Sequence, residues 1–276
     1  MLPGYNFHSH SYLCDGKESM EEYVKAAIAK EFKAFGFSAH SPLPFDNEWS
    51  LTQEKYAQYL VDAKELKIKY KDQINLYLGL EIDYVPGYSD NFSEFSDTAP
   101  LDYTIGSIHL VRGQENGKIW FIDGPIEGYL TGVNEVFGGS YKDAVTAYYK
   151  QTMEMVQTQK PNIIGHFDKV KMHNKQRWFS TSEKWYEALI DQTLEIIAKQ
   201  KCIIELNTRG IYTGKTDEYF PSKDILHKCH ELGIELMVNS DAHHPSQIDS
   251  LMAEGHTLLK QIGFKKIKTP FFEFEL

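Results

Sequence analysis

The sequence predicts an α/β fold built on a parallel sheet and closed as a barrel. Three observations carry this. Short apolar runs alternate with longer amphipathic segments along the 276 residues. No composition break or flexible linker divides the chain, so one domain over residues 1–276 is expected. Metal-capable side chains recur at the ends of the apolar runs, and a parallel barrel opens all such ends onto one face. Length alone fits one barrel or two small domains equally well.

The seven runs are Tyr5 to Phe7, Phe35 to Ala39, Leu76 to Leu80, Tyr103 to Ile108, Ile163 to Gly165, Cys202 to Leu206 and Leu236 to Ser240. Helices are expected between them. Ser19 with Glu22, and Ser180 with Glu183, have capping-box spacing, while Gly233 and Gly263 stand where helices stop. Two regions break the alternation. Asp83 to Pro100, rich in Ser, Asp, Pro and aromatics, reads as a long loop with one turn of helix. Val111 to Tyr141 mixes glycines with Trp120, Phe121, Tyr129 and Phe137, reads as a lid or a cover for the barrel edge, and leads into a helix from about Lys142 to Gln157.

Composition narrows the function classes. Apolar residues make up 42% and charged residues 25%, the balance of an ordinary globular protein. The first residues lack the basic start and apolar core of a signal peptide, and no apolar run approaches a membrane span, so a cytoplasmic protein without a membrane partner is expected. Cys14, Cys202 and Cys229 are too scattered for a disulfide framework and read as free thiols. A net charge of −10 disfavours nucleic acid, whereas a small phosphate ester is compatible with it because bound cations set the local field.

The ends of the runs carry the chemistry. Run one ends in His8 and continues to His10, run two ends in His40, run three in Glu81, run four in His109, run five in His166, and run seven in Asp241 followed by His243. Run six ends in Asn207, with Arg209 two residues on. Six of the eleven histidines thus fall at strand ends, a recurrence that isolated core histidines do not explain. Imidazoles mixed with carboxylates suit zinc, iron or manganese. The set exceeds the needs of one tetrahedral ion, so two to three divalent ions are expected, with Glu81 as a bridge between ions roughly 3.5–4 Å apart. Asp15 is the better ligand of the Cys14-Asp15 pair. His227 and His230, three apart on a helix, read as partly exposed; His173, His244 and His256 are left unassigned.

These motifs resemble those of the polymerase-and-histidinol-phosphatase (PHP) superfamily. The resemblance spans the chain through His8-Ser9-His10 with Asp15-Gly16, Ser38-Ala39-His40-Ser41-Pro42, Gly79-Leu80-Glu81-Ile82-Asp83, Gly106-Ser107-Ile108-His109, Gly165-His166-Phe167-Asp168 and Ser240-Asp241-Ala242-His243. Within it, Ser41-Pro42-Leu43-Pro44, Glu81-Ile82-Asp83-Tyr84, Glu205-Leu206-Asn207-Thr208 and Tyr219-Phe220-Pro221-Ser222 are similar to the histidinol-phosphate phosphatase branch. The resemblance implies a distorted (β/α)7, TIM-like barrel with a trinuclear site: His8, His10, Glu81 and Asp241 on one ion, Glu81, His109 and His166 on a second, and Asp15, His40 and His243 on the third. Asp15 departs from branch members that carry histidine nearby, which bears on the third ion.

The expected reaction is hydrolysis of a phosphate monoester, L-histidinol phosphate in histidine biosynthesis, by a hydroxide bridging two ions. Asp241 orients the hydroxide, and Asp241 or His243 returns a proton to the leaving alcohol. Arg209 is expected on the phosphate because its planar fork suits two oxygens, with Lys169 and Arg177 as further cations. Asp83 is expected at the cationic end of the substrate. The rival readings are another phosphoesterase of the superfamily acting on a nucleotide or sugar phosphate, a non-catalytic metal-binding barrel, and an amidohydrolase-like enzyme.

Overall fold

The computed structural model describes residues 4–113 and 117–276. Parts of two stretches discussed above, residues 1–3 and 114–116, lie outside the described residues. Each apolar run forms a strand: β1 (Gly4–Asn6), β2 (Phe32–Phe37), β3 (Asn75–Asp83) and β4 (Tyr103–Ser107) come first. A short hairpin follows, β5 (Leu110–Arg112) with β6 (Ile119–Phe121), and then β7 (Ile163–Ile164), β8 (Ile203–Asn207) and β9 (Leu236–Asn239). The seven-stranded sheet has the order β1-β2-β3-β4-β7-β8-β9, every neighbouring pair parallel.

The sheet curls until its first and last strands meet. Just beyond β1 and β9, Ser9 and Ala242 form a parallel bridge, in which His10 N donates to Ala242 O (2.8 Å) and Ala242 N to His8 O (3.1 Å). Lower down, side chains take over the seam: Phe7 N donates to Asn239 Oδ1 and Asn6 Nδ2 to Ser240 Oγ. The result is a nearly closed, distorted TIM-like barrel of seven parallel strands, as expected from the sequence.

The connecting helices are α1 (Met20–Ala29), α2 (Gln53–Lys69), α3 (Ser93–Thr98), α4 (Ile126–Phe137), α5 (Tyr141–Thr158), α6 (Lys184–Gln200), α7 (Arg209–Tyr212), α8 (Lys223–Glu231) and α9 (Met252–Ile262). Gly233 and Gly263 follow α8 and α9 with φ of +66° and +123°, a conformation that ends a helix at little cost only for glycine. The capping expectations fare less well. Ser19 precedes α1 without a side-chain cap bond, and α6 starts only at Lys184, although Glu183 Oε1 does accept from Ser180 N at 2.9 Å.

The described residues between Val111 and Tyr141 hold more regular structure than their glycines suggest, for they include most of the β5–β6 pair and the 12-residue α4. Gly132 is there to admit Trp120: a Cβ at this position would collide with the indole ring. Trp120 is fully buried and donates through Nε1 to Tyr129 O at 3.1 Å, so the excursion packs as a cover over the barrel edge.

The floor of the barrel is aromatic. Tyr103 reaches across the interior, donating to Phe7 O (2.7 Å) and Phe37 O (3.0 Å), and Gly36 and Gly79 leave the space its ring occupies. After α9, the antiparallel pair β10 (Lys266–Lys268) and β11 (Glu273–Glu275) folds Phe271 against Tyr77, Tyr103 and Phe7. This plug leaves only the carboxyl ends of the strands for chemistry.

Candidate metal centre

At that open end the strand-end residues converge. The carboxylate of Glu81, fully buried on β3, stands at the centre. Its Oε2 lies 3.1 Å from His8 Nε2, 3.4 Å from His10 Nε2 and 3.2 Å from His40 Nδ1. Its Oε1 lies 3.0 Å from His166 Nε2 and 4.0 Å from His109 Nε2, and accepts from Ser107 Oγ at 2.6 Å. The two oxygens thus face two different sets of imidazoles. Asp241 Oδ1 is 3.7, 3.4 and 3.4 Å from His8, His10 and His243. Asp15 bridges His243 Nε2 (2.9 Å) and His10 Nδ1 (3.6 Å), with His40 Nε2 at 3.9 Å.

Four overlapping groups have donor atoms close enough to share an ion: His8, His10 and Glu81; Glu81, His109 and His166; His10, Asp15, His40 and His243; and His40, Asp83 and His109. The first three overlap the partition that the resemblance implies, but Asp241 falls in none of them, and His10 reaches the third group as well.

The residues fit divalent cations on their own geometry. Among the described residues, His8 Nε2, His10 Nε2, Asp15 Oδ1, His40 Nδ1, Glu81 Oε2 and Asp241 Oδ1 are buried without a hydrogen-bond partner, although several approach one another closely. Lone pairs converging in this way, away from water, call for a positive charge between them. The electrostatics agree. Burial opposes the charge on Glu81, but His8 and His40 outweigh it and hold the carboxyl well below its usual range. Asp241 is likewise held down, against its burial, by His8, His10 and Arg209. Burial pushes His10 and His40 down, and burial with Lys169 nearby pushes His166 down to about 4, so these imidazoles are neutral donors.

Behind some of the ligands lies a further shell of hydrogen bonds. Glu205 on β8, fully buried, contacts His8 Nδ1 at 2.9–3.0 Å and accepts from His166 N, Asn207 Nδ2 and Asn239 Nδ2, each at 2.9 Å. A proton on Nδ1 leaves His8 Nε2 free to bind metal. Glu205, Asp241 and Glu81 outweigh the burial of His8 and raise its pKa well above the usual value, the same negative field that would favour a cation at Nε2. Asp241 itself has φ of +52°, a left-handed turn that swings its carboxylate from the strand into the site.

Three residues stand in surroundings that the sequence does not reveal. Asp83, expected at the substrate, is fully buried; its Oδ1 contacts His109 Nδ1 (2.7 Å) and accepts from His109 N (3.1 Å), which positions that imidazole, while its Oδ2 has no hydrogen-bond partner and faces His40 Nδ1 at 3.8 Å. Arg177 is exposed, with no part in the cluster. Glu205 was quoted above only as a branch resemblance, yet it holds two of the expected ligands.

The expected cations do reach the site. Lys169 is buried with Nζ 3.2 Å from His109 Nε2, tied to Asp123 at 2.7 Å. Asp123 comes from the excursion after β6, also lies 3.3 Å from Lys215, and is held below the usual carboxylate range, against its burial, by both lysines. Arg209 Nη1 donates to Asp241 O at 3.1 Å and to Tyr212 Oη at 3.3 Å. Among the unassigned histidines, His244 turns to Ser246, His173 to Gly124 O, and His256 to Tyr5 at the far end of the barrel. The three cysteines are free and buried. Among the described residues, no helix is long and apolar enough to cross a membrane.

Fold and site together define a parallel β/α barrel whose mouth gathers imidazoles and carboxylates able to hold metal. The PHP domain matches residues 5–209, and the chain belongs to that family. The histidinol-phosphatase of Lactococcus lactis is 27% identical over 268 residues, covering 96% of this chain and 93% of its own. That of Bacillus subtilis is 25% identical over 252 residues, covering 87% and 94%. In three dimensions, the L. lactis histidinol phosphate phosphatase, solved with zinc, L-histidinol and phosphate, superposes with a TM-score of 0.69 at 22% identity, covering 100% of both chains. A Listeria monocytogenes structure gives 0.79 at 23% identity, covering 91% of this chain and 99% of its own.

Proposed function

We propose that this chain is a metal-dependent phosphomonoesterase that hydrolyses L-histidinol phosphate to L-histidinol and phosphate, a step of histidine biosynthesis. The observation that carries the reading is the Glu81 carboxylate, whose two oxygens face separate sets of imidazoles. The names of relatives that match over most of the chain point to the same substrate.

Two to three ions of zinc, iron or manganese would be held by His8, His10, Glu81 and Asp241, by Glu81, His109 and His166, and by Asp15, His40 and His243. When bound, they supply Lewis acidity to the phosphoryl oxygens and lower the pKa of an attacking water. Lys169, beside His109, and Arg209, at the backbone carbonyl of Asp241, neutralise the charge of the phosphate. Asp241 orients the attacking water as its oxygen bonds to phosphorus and the bond to the alcohol oxygen breaks. Asp241 or the less buried His243 then returns a proton to that oxygen, so histidinol leaves neutral at its hydroxyl.

The test is a substrate panel. Protein loaded with manganese, iron or zinc is expected to release phosphate from histidinol phosphate far faster than from generic monoesters. Equal, slow turnover of every ester would rule out the biosynthetic role and leave a phosphatase of another substrate.

A further inference from the structure

Two aromatic side chains beside the metal cluster are not accounted for by the chemistry at phosphorus. Trp49 sits in the loop after β2, and Phe121 ends β6; their rings are parallel within 9°, with centroids 5.8 Å apart. The indole also stands edge-on to His40 at 5.1 Å and lies 6.1 Å from His109. Neither ring belongs to the closed core. Trp49 is half-buried, and Phe121 is 37% exposed, whereas its neighbour Trp120 is fully buried.

The backbone beside both rings is tied to the ligand residues. Asn47 Oδ1 accepts from Trp49 N (3.2 Å) and Ser50 N (2.7 Å), and Leu51 N donates to His40 O (3.1 Å). On the other side Ile122 N donates to His109 O (3.0 Å), and Phe121 pairs with Leu110 across the hairpin. The aromatic pair is therefore fixed in register with His40 and His109. An exposed aromatic surface beside a polar centre is a ready platform for a flat ring.

We infer that Trp49 and Phe121 form an aromatic wall that receives the flat ring of the substrate's alcohol portion, and so select among phosphate esters by their leaving group. This rests on the proposed hydrolysis of histidinol phosphate, whose imidazole is such a ring. The phosphate is gripped by ions and cations that are blind to the alcohol, so discrimination has to come from a surface of this kind. Stacking of one ring corresponds to about a two- to thirteen-fold effect.

The experiment compares Trp49→Leu and Phe121→Leu with the parent on three monoesters: histidinol phosphate, 2-phenylethyl phosphate and 2-aminoethyl phosphate. The expected result is a rise in KM for the two ring-bearing esters that exceeds the change for the aliphatic one about ten-fold, with Trp49→Phe restoring most of it. Equal losses on all three, or no loss on any, overturns the wall. Phe121 lies at the surface, so its variant folds even if Trp49→Leu does not. Binding gives a second readout: L-histidinol should change a tryptophan emission component that Trp49→Phe lacks, and 2-amino-1-butanol should not. No such difference also overturns it. A parent enzyme that prefers 2-phenylethyl phosphate, with the same selectivity lost in the Leu variants, would retire the histidinol reading and keep the wall.

Discussion

Replacing Glu205 with Gln isolates the role of the buried network behind the metal ligands. The two carboxylate oxygens face four donors: His8 Nδ1, His166 N, Asn207 Nδ2 and Asn239 Nδ2. Neither asparagine is free to turn its amide. Asn239 Oδ1 already accepts from Phe7 N, and Asn207 Oδ1 from Arg209 N. Whichever oxygen of Glu205 becomes an NH2, it therefore meets a donor, and at least one buried hydrogen bond is replaced by a repulsion costing about 1–3 kcal/mol. The negative charge that favours a proton on His8 Nδ1, and so the lone pair on Nε2, is lost as well. Such changes behind a metal ligand weaken binding about 10- to 100-fold, or ~1.4–2.7 kcal/mol, in line with the hydrogen-bond figure. Competition with a chromophoric chelator should show the weakened ion, and excess metal should recover most of the turnover. A Glu205→Gln protein with parental metal affinity would refute the assignment of Glu205 as the residue that orients His8.

Glu81→Ala should abolish turnover while circular dichroism stays that of the parent, since it removes the carboxylate shared by both imidazole sets; near-normal activity would contradict the shared bridge. Chelation should loosen the seam between β1 and β9, because His8 and His10 on one side and Asp241 and His243 on the other flank the Ser9–Ala242 bridge. At ion concentrations 100-fold above Kd each site adds about 2.7 kcal/mol, so without metal the His10 and Ala242 amides should exchange faster while the Glu81 amide, bonded to Ala39 O, changes less; uniform acceleration would argue against a seam held by metal. His256 should set part of the acid limb of stability. Burial pushes it down to about 4 beside Tyr5, so between that value and its usual 6.5 the unfolded chain binds a proton that the folded chain does not. Stability from this group is complete above about pH 6.5 and is lost as pH falls toward 4, by up to about 3 kcal/mol. Urea unfolding at pH 7 and pH 5 should show a smaller acid loss for His256→Gln than for the parent, and equal losses would count against it.

The strand ends were legible because their chemistry is conspicuous. A histidine closing an apolar run stands out, and the parallel topology that joins such ends follows from the alternation of the runs themselves. What escaped was polar chemistry inside the strands. Glu205 lies within Ile203-Ile204-Glu205-Leu206, where the apolar neighbours advertise a buried strand and conceal the one residue that a dry strand cannot carry without partners. Asp83 was visible, but its partners were not. It stands two residues after Glu81 on β3, and the two-residue period of a strand puts both carboxylates on the barrel side, where Asp83 meets His109 through one oxygen and faces His40 with the other. Asp123 and α4 were hidden by glycines, whose local preference argues against a helix; the requirement that overrides it is the indole of Trp120 against Gly132, a contact between residues twelve apart.

These misses share a cause that also explains why the site is stable. A buried carboxylate has to be satisfied by donors or cations, and here the donors come from neighbouring strands: Asn207 beside Glu205 on β8, and Asn239 on β9. Asn239 and Asn207 are cross-strand partners in the β8–β9 register. The pairing that builds the barrel thus also places the donors that hold Glu205, and Glu205 in turn aims His8 and anchors the amide of His166. Because β1 carries His8 on the far side of the seam, the network closes the barrel and positions the ligand in one arrangement. A change that slips the β8–β9 register would therefore disturb metal binding before it exposed any of the aromatic floor.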